Sequence, residues 1–531
     1  MAGGHEAGVR LSAPRQLIYI SMKRMKLFSK IRSKPLKIIF VTTEAEPFVA
    51  AGGLGVVMHA LPKALQELGH DVRIIIPRYL QIDSAKWNLQ VEYEGLQVPT
   101  ENRKGVKNLI CNVKRYDPVG SAVSVTAYFL ENMEYYEQRA NVYGYADDAA
   151  RWVLLCRGAL EFLRLSEWSP DVIVCTDRHT GLLPNILKTF YSDDSKLSQI
   201  TVIHSIHNLG HQLSGLDYRF VAKEELDDGH SLLPALEDPA LLKINGMKRG
   251  IMYADAINTV SQNYAKEITT SQYGEGLDDL LRRKLEQRRL VGILNGLDYT
   301  IWDPEKDQLI KYPFSAKNLP ARARNKAELQ KYFKLPFGQD FFVAAIVARM
   351  IAQKGVDLLE SIIFTVLQDL PMQLVVVGVG ESRIMEFLLN LKKVFPRQVG
   401  TSFVHDPRLP HSIFAGADVA LIPSRFEPSG LTQMEAMSYG CIPIVRKTGG
   451  LADTVEDYDP EKNQGTGFIF ENVDSLSLMI AVVRAYQSFR HKGHWQNLQL
   501  RAMQKDFSWK NSARQYVKLF KRAIKLHRLP R

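Results

Sequence analysis

The sequence predicts an α/β protein built from two doubly wound domains, each with a mostly parallel sheet between layers of helices. Short, nearly continuous apolar runs recur along the chain, which is typical of strands buried on both faces. The clearest unit is a strand at 36–42, a turn at Gly52 and Gly53, a helix at 54–68 and a strand at 72–76, which together form a βαβ motif. The chain has 531 residues, too many for one ordinary core, so at least two domains are expected.

The rest of the first half continues this alternation and places polar residues directly after predicted strands. Asp177 follows one such strand, His207 follows the next, and Asn295 follows a later one. Because the carboxyl ends of parallel strands meet at one edge of a sheet, we expect these residues and the two glycines to line one crevice. The predicted elements are an alternating antiparallel or edge strand at 122–129, a helix at 149–165, and strands at 172–176, 201–206, 256–260 and 291–294.

A composition break at 303–335, with three prolines and scattered charges, predicts a linker before a second α/β unit. That unit has predicted strands at 341–348, 373–377, 402–405, 418–423 and 441–445, and a predicted helix at 357–370. From Trp495 the chain has a helical pattern with an apolar stripe, which is typical of a packing face. The predicted parts are a basic extension at 1–34, a domain at 35–302, the linker at 303–335, a domain at 336–494 and a terminal helix at 495–531.

The net charge of +11 is concentrated at the two ends of the chain. Residues 1–38 carry +8 and residues 489–531 carry +11, so the body between them carries −8. No nucleic-acid motif accompanies the basic ends, so a nucleic-acid partner is not expected. The longest apolar runs fall far short of the ~20 residues of a membrane helix, so a membrane-spanning segment is not expected either. Four scattered cysteines indicate reduced thiols and a cytoplasmic location, although the basic N-terminus leaves a plastid transit peptide open.

The stretch 424–435 predicts an anion site beside a carboxylate. A helix pattern opens at Gly430, where free backbone N–H groups attract an anion. Arg349 and Lys354, in a turn after an earlier strand, are expected to join that helix start in clamping a diphosphate. A departing nucleoside diphosphate gains negative charge as its bond breaks, so such a clamp stabilises the transition state. Glu427, just before the turn, is then expected to bind sugar hydroxyls or a developing positive charge.

No cofactor or metal ion is expected. The glycines at 378 and 380 do not complete a GxGxxG motif, so a nicotinamide cofactor is not inferred. The Asp-x-Asp sequence at 457–459 is typical of a solvated turn, and no His or Cys cluster has metal-ligand spacing.

Eight segments between about residue 36 and residue 470 resemble the glycogen and starch synthases, which are retaining glucosyltransferases of the GT-B fold. The segments are FVTTEAEPFVAAGGLG, DRHTGLLP, IHSIHNLGHQ, GIMYADAINTVSQNYAKEI, ILNGLDYTIWDP, VARMIAQKGVDLL, IPSRFEPSGLTQMEAMSYG and TGGLADTV. The resemblance implies an acceptor-side domain at 35–302 and a donor-side domain at 336–494, facing each other across a deep cleft, with the terminal helix packing back on the first domain. It also implies glucose transfer from ADP-glucose to the non-reducing end of an α-1,4-glucan, with retention of configuration and without a metal.

The resemblance further implies roles for single residues. Arg349 and Lys354 match the pair that holds the donor diphosphate, and Glu427 matches the essential glutamate near the sugar. His207 matches a histidine beside the reacting carbon, and Asp177 matches an acid of the same cleft. The donor-binding residues implied by the match are Gly52, Gly53, Asn295, Gly430, Leu431, Thr432 and Glu435, the last completing an E-x7-E signature with Glu427.

Three residues depart from the family pattern. Ala50 stands where the family usually has a lysine, Val56 where it has an aspartate, and Arg178 where it has an aromatic residue. Losing a cation removes a charge-assisted contact worth about 1.5–3 kcal/mol, which would slow catalysis or change donor choice. Two alternatives therefore stay open: the same fold using UDP-glucose or another acceptor, and a weakly active or non-catalytic glucan-binding or initiation paralogue.

Overall fold

The computed structural model describes residues 1, 3, 34–102, 107–118, 125–210, 227–404 and 406–529. Within these residues the chain forms two α/β domains, one around a nine-stranded sheet and one around a six-stranded sheet. Each sheet has its own buried apolar core. The prediction of two doubly wound domains is therefore confirmed, whereas the predicted basic extension lies almost entirely outside the described residues.

The first sheet has the strand order β3-β4-β5-β2-β1-β6-β7-β8-β9. Strand β1 lies near its centre and pairs in parallel with β2 and β6, and its side chains from 38 to 41 are fully buried. The strands are β1 Lys37–Val41, β2 Asp71–Pro77, β3 Gln90–Pro99, β4 Asn108–Tyr116, β5 Thr126–Glu131, β6 Val172–Thr176, β7 Thr201–Ile206, β8 Ala256–Thr259 and β9 Leu290–Gly292. The α-helices are α1 Gly53–Glu67, α2 Asp148–Leu165, α3 Asp177–Thr180, α4 Leu182–Thr189, α5 Gly246–Tyr253, α6 Gln262–Glu267 and α7 Asp278–Glu286.

The predicted βαβ unit at the start of this domain is confirmed. Helix α1 begins directly after the glycine turn and ends at Glu67, and Gly69 follows in the left-handed conformation with φ of +90°. Ser261 caps helix α6 as predicted, because its side chain accepts a hydrogen bond from the N–H of Tyr264.

The prediction for 122–129 was only partly right. Strand β5 covers Thr126–Glu131, and residues 122–124 lie outside the described residues. The strand pairs antiparallel with β4, as one alternative proposed, but it also pairs in parallel with β2 and so lies inside the sheet. Strands β3 and β4, which extend the sheet beyond it, were not predicted.

The second sheet has the order β12-β11-β10-β13-β14-β15, and all of its strand pairs are parallel. Its strands are β10 Phe342–Val347, β11 Met372–Val377, β12 Val399–Ser402, β13 Val419–Ile422, β14 Ile442–Arg446 and β15 Phe468–Phe470. The α-helices of this half are α8 Arg322–Tyr332, α9 Ile363–Asp369, α10 Ser382–Val394, α11 Leu409–Gly416, α12 Thr432–Ser438, α13 Gly449–Thr454, α14 Ser475–Arg490 and α15 Lys492–Met503.

Two predicted elements of this domain differ in the structure. The helix predicted at 357–370 is divided into a 3-10 turn at Val356–Leu359 and the short helix α9. The strand predicted at 402–405 lies three residues earlier, because Val399–Ser402 forms the ladder with β11. Residue 405 is outside the described residues.

The segment 303–335, predicted as a linker, includes helix α8, which packs into the second core through Leu329. On the same helix, Arg322 donates a hydrogen bond to the carbonyl oxygen of Tyr439, and the Lys326 ammonium lies 2.7 Å from the Asp418 carboxylate. These buried polar contacts tie the helix to the second domain.

The chain then returns to the first domain through helix α16, Trp509–His527. Ser512 Oγ donates to the carbonyl oxygen of Leu294, and Asn258 Nδ2 donates to the Tyr516 hydroxyl at 3.0 Å. The apolar stripe predicted on this segment is therefore a packing face. None of the described helices is both long enough and apolar enough to cross a membrane.

Candidate active site

A cavity of about 780 Å³ opens between the carboxyl ends of the strands of the two sheets. Its walls come from both domains, as expected for a ligand that contacts both. The predicted site residues that line it are Gly52, Gly53, Asp177, His207, Asn295, Arg349, Lys354, Glu427, Gly430, Leu431 and Thr432. Glu435 does not line it. The roles of these residues stay predictions, but the structure brings eleven of the twelve together.

On the first-domain wall, the backbone of the glycine turn is held by Glu44, which the sequence reasoning missed. The Glu44 carboxylate is buried and accepts hydrogen bonds from the N–H groups of Ala51 at 2.5 Å and Gly52 at 2.9 Å. The Tyr143 hydroxyl donates to its other oxygen at 2.9 Å. The sequence does show a glutamate and a glycine pair after the end of an apolar strand. It does not show that the glutamate contacts the glycine turn.

Asp177 and His207 lie together on the same wall. Asp177 adopts a left-handed conformation with φ of +47°, and its carboxylate accepts hydrogen bonds from the N–H groups of His207 at 2.7 Å and Asn208 at 3.2 Å. Asp177 therefore fixes the backbone where strand β7 ends. Burial lowers the pKa of His207 to about 4, against an opposing effect of Glu44, so its imidazole is neutral at pH 7.

The second-domain wall carries a close ion pair. Lys354 Nζ lies 2.5 Å from Glu427 Oε2, and Ser424 Oγ donates to the same oxygen at 3.1 Å. Arg349 lies on this wall, exposed, and its side chain forms no hydrogen bond or ion pair with any described residue. Gly355, directly after Lys354, adopts a left-handed conformation, and a Cβ there would clash with the carbonyl oxygen of Pro423.

The loop that carries Glu427 is supported by the Gly449–Gly450 turn at the start of helix α13. The N–H of Gly450 donates to the Glu427 carbonyl oxygen at 3.0 Å, and a Cβ on Gly449 would clash with that oxygen. Glu267, from helix α6 of the first domain, accepts hydrogen bonds from Thr448 Oγ1 at 3.0 Å and from the N–H of Gly449 at 2.9 Å. A contact between the two domains therefore supports the loop that carries Glu427, the candidate catalytic residue.

The predicted anion site lies at the start of helix α12. Gly430 has φ of +65°, and neither its N–H nor that of Leu431 donates a hydrogen bond to a described residue. Glu435, on the same helix, does not line the cavity, and burial raises its pKa to about 8. It is therefore mostly protonated at pH 7, and its predicted donor-binding role stays a prediction.

Three buried polar atoms on the cavity wall have no partner among the described residues. They are Asn295 Oδ1, Ser429 Oγ and Gln433 Oε1. An unpaired buried polar atom is costly, so a ligand that bonds to such atoms gains affinity. Ser429 and Gln433 were not predicted as site residues, because the interpretation of their motif was based on its other residues.

Comparison with known proteins identifies the family to which this architecture belongs. A family model described as "Starch synthase catalytic domain" matches residues 37–283, and one described as "Glycosyl transferases group 1" matches residues 329–488. The chain is 37% identical to the glycogen synthase of Anoxybacillus flavithermus over 91% of its length and 97% of that protein. It is 38% identical to the glycogen synthase of Geobacillus stearothermophilus over 92% of its length and 98% of that protein.

The chain belongs to the glycogen and starch synthase family. Among solved structures, the catalytic domain of starch synthase IV from Arabidopsis thaliana, bound to ADP and acarbose, matches with a TM-score of 0.77 and 30% identity, covering 92% of this chain and all of that one. Sucrose-phosphate synthase from Thermosynechococcus elongatus matches with a TM-score of 0.56 and 17% identity over 92% of this chain and 98% of that one, which supports the shared fold alone. The predicted family and GT-B fold are both confirmed.

Within this synthase family member, the residues that depart from the family pattern occupy different places. Ala50 and Val56 are exposed and do not line the cavity, whereas Arg178 does. Across the described residues no three His, Cys, Asp or Glu side chains are grouped so that they could hold a metal ion. Independence from metal stays a prediction.

Proposed function

We propose that this protein transfers glucose from ADP-glucose to the non-reducing end of an α-1,4-glucan, with retention of configuration. The observation that carries the proposal is the second-domain wall, where Arg349, Lys354 and the N–H groups at Gly430 and Leu431 surround one end of the cavity. These groups suit a nucleoside diphosphate. The match to a starch synthase solved with ADP supports adenine as the base of the donor.

In the proposed reaction, the bond between glucose C1 and the diphosphate oxygen breaks, and C1 bonds to the acceptor hydroxyl oxygen. The hydroxyl proton leaves with the diphosphate. Charge that develops on the departing ADP meets Arg349 and Lys354, so these cations stabilise the transition state more than the bound donor. In this proposal the Glu427 carboxylate, paired with Lys354 at 2.5 Å, stabilises positive charge on the sugar.

The first-domain wall supplies the complementary half of the proposed site. Neutral His207 can exchange hydrogen bonds with sugar hydroxyls without adding a charge near the reacting carbon. Asp177 keeps the backbone of that histidine in place through its hydrogen bond at 2.7 Å. The rings of Tyr143 and His179, with centroids 4.8 Å apart, pack against each other on this wall. We propose that the glucan acceptor enters along this wall.

The test is a transfer assay with purified protein, radiolabelled ADP-glucose and glycogen. The proposal expects label in the precipitated glucan, release of the label by an α-1,4-specific amylase, and unchanged activity in EDTA. Unlabelled ADP-glucose should compete well and unlabelled UDP-glucose poorly. Stronger competition by UDP-glucose would replace the proposed donor, and absence of label beside an active control synthase would refute the proposal.

A second candidate is a glucan-binding protein with little or no turnover. It is favoured by Ala50, which leaves the mouth of the cleft without the lysine usual in the family. This candidate expects retention on amylopectin without glucosyl transfer, and no gain of activity in the Ala50→Lys variant. A large gain in that variant would instead identify a synthase that lacks one donor contact.

A further inference from the structure

Arg178 is a charged residue on the cleft wall that the proposed mechanism does not use. It follows Asp177 at the end of strand β6, in the short helix α3, and it lines the cavity between the domains. Its side chain is half-buried, and burial lowers its pKa. The guanidinium nevertheless stays protonated at pH 7, because arginine titrates far above that pH. The first-domain wall therefore carries a partly desolvated positive charge.

That charge has no ion-pair partner among the described residues. No carboxylate oxygen of the described residues lies within 4.0 Å of the guanidinium, and its one side-chain hydrogen bond to them is from Nε to His179 Nε2 at 3.3 Å. Within the described part of the chain, both terminal nitrogens therefore have no acceptor. Two more deeply buried arginines of this domain have a carboxylate partner, because Arg151 lies 2.6 Å from Asp148 and Arg249 lies 2.7 Å from Asp227. Buried Arg157 instead donates to the carbonyl oxygen of Glu101 and to Asn102 Oδ1.

The carboxylates on the cavity wall are already bonded to other groups. Glu44 accepts from two backbone N–H groups and a tyrosine hydroxyl, Asp177 accepts from two backbone N–H groups, and Glu427 pairs with Lys354. The cleft thus presents two guanidinium groups without an ion-pair partner in the described part of the chain, Arg178 on the first-domain wall and Arg349 on the second. An anion inside the cavity is the partner that both lack.

We propose that Arg178 binds a phosphoryl group of a ligand in this cleft. A guanidinium forms two parallel hydrogen bonds with phosphate oxygens, and it does so most strongly where water is partly excluded. The group has two chemical sources, the diphosphate of the sugar nucleotide and a phosphate ester on the acceptor glucan or sugar. The inference rests on the proposed function, because it places an additional ligand contact in the same site.

The experiment compares the wild-type protein with Arg178→Ala and Arg178→Lys, and with Arg283→Ala as a matched control. Arg283 is an exposed arginine of helix α7 in the same domain. Calorimetric titration with ADP tests the nucleotide source. Transfer kinetics and direct titration with a maltooligosaccharide, with and without a 6-phosphate ester, test the acceptor source. Thermal melting of each variant shows that it is folded.

For the nucleotide source, Arg178→Ala raises the Kd for ADP about tenfold or more, Arg178→Lys recovers part of the affinity, and the Arg283 control is unchanged. For the acceptor source, the Kd for ADP stays constant while the phosphorylated oligosaccharide loses about tenfold or more in affinity and the unphosphorylated one does not. Changes below twofold with every probe, in a variant that melts like the wild type, overturn the proposal.

Failure of the proposed function remains distinguishable from failure of this inference. If the wild-type protein neither binds ADP nor transfers glucose, the synthase activity is refuted. Direct binding of the phosphorylated oligosaccharide then still measures the Arg178 contact, and its absence in wild type and variants alike overturns the inference.

Discussion

Removing the Arg349 guanidinium should weaken ligand binding at the second-domain wall with little effect on the stability of the protein. Arg349 is exposed and lines the cavity, and its side chain forms no hydrogen bond or ion pair with a described residue, so Arg349→Ala removes neither kind of contact with those residues. Surface substitutions of this kind change the free energy of unfolding by about 0.5 kcal/mol or less. A hydrogen bond to a charged group contributes about 1.5–3 kcal/mol, which converts to a loss of roughly 10- to 150-fold in ADP affinity.

Isothermal titration with ADP measures the Kd, and urea denaturation measures stability. Arg383→Ala is the matched control, because Arg383 is an exposed arginine of the same domain whose partner is Glu360, at 2.6 Å. We expect that control to bind ADP like the wild type. If Arg349→Ala binds ADP within twofold of the wild type, the diphosphate is not held at this wall. If it instead unfolds at much lower urea, Arg349 has a structural role that its surroundings do not indicate.

Three further predictions concern stability and the contact between the domains. Burial lowers the pKa of His204 to about 3, so between pH 6.5 and 3 the unfolded chain binds a proton that the folded chain does not. The urea midpoint therefore falls as the pH is lowered through that window. Lys326→Met removes the nearer of the two cations of buried Asp418, at 2.7 Å, leaves Arg322 at 4.0 Å, and lowers the free energy of unfolding by about 3–5 kcal/mol in urea denaturation. Glu267→Ala removes the acceptor for two groups of the second domain, lowers that free energy by about 1–3 kcal/mol, and reduces the transfer rate because the Glu427 loop loses support.

Each of these has a control in the same chain. His204→Gln should flatten the pH dependence of the urea midpoint. If that dependence is unchanged in the variant, it arises from other titratable groups. Lys311→Met, at an exposed pair with Glu328, should change stability by about 1 kcal/mol or less. Equal losses for both lysine variants would contradict the argument from burial. Glu286→Ala, on the exposed side of helix α7, should leave both stability and rate unchanged.

Local patterns in the sequence were sufficient for the buried parallel strands. Strands β6 and β7 match the predictions at 172–176 and 201–206 residue for residue, because continuous apolar runs end at polar turns. Strands β3 and β4 were missed because their pairing shifts register between Val91 and Tyr93 and again before Leu96, which interrupts the alternation. Strand β12 was misplaced because its short sequence includes Gly400 and Thr401 and gives a weak apolar signal.

The site was predictable where a motif follows a strand, and not where a contact joins distant segments. Arg349, Lys354 and Glu427 lie in motifs at strand ends, and the structure places all three on one wall. Glu44 becomes part of the site only through donors seven, eight and 99 residues away. The support that Glu267 gives to the Glu427 loop spans about 180 residues, and no periodicity in the sequence encodes such a contact.

The measurement that tests the central claim most directly is glucosyl transfer from labelled ADP-glucose to glycogen by the wild type and by Glu427→Gln, with Glu471→Gln as an exposed control. The account predicts labelled α-1,4-glucan from the wild type and the control. It predicts a rate lower by roughly 100-fold or more for Glu427→Gln, since a charge that stabilises the transition state is removed, and thermal melting shows that the variant is folded. Equal rates for wild type and Glu427→Gln, or no transfer by the wild type, would contradict it.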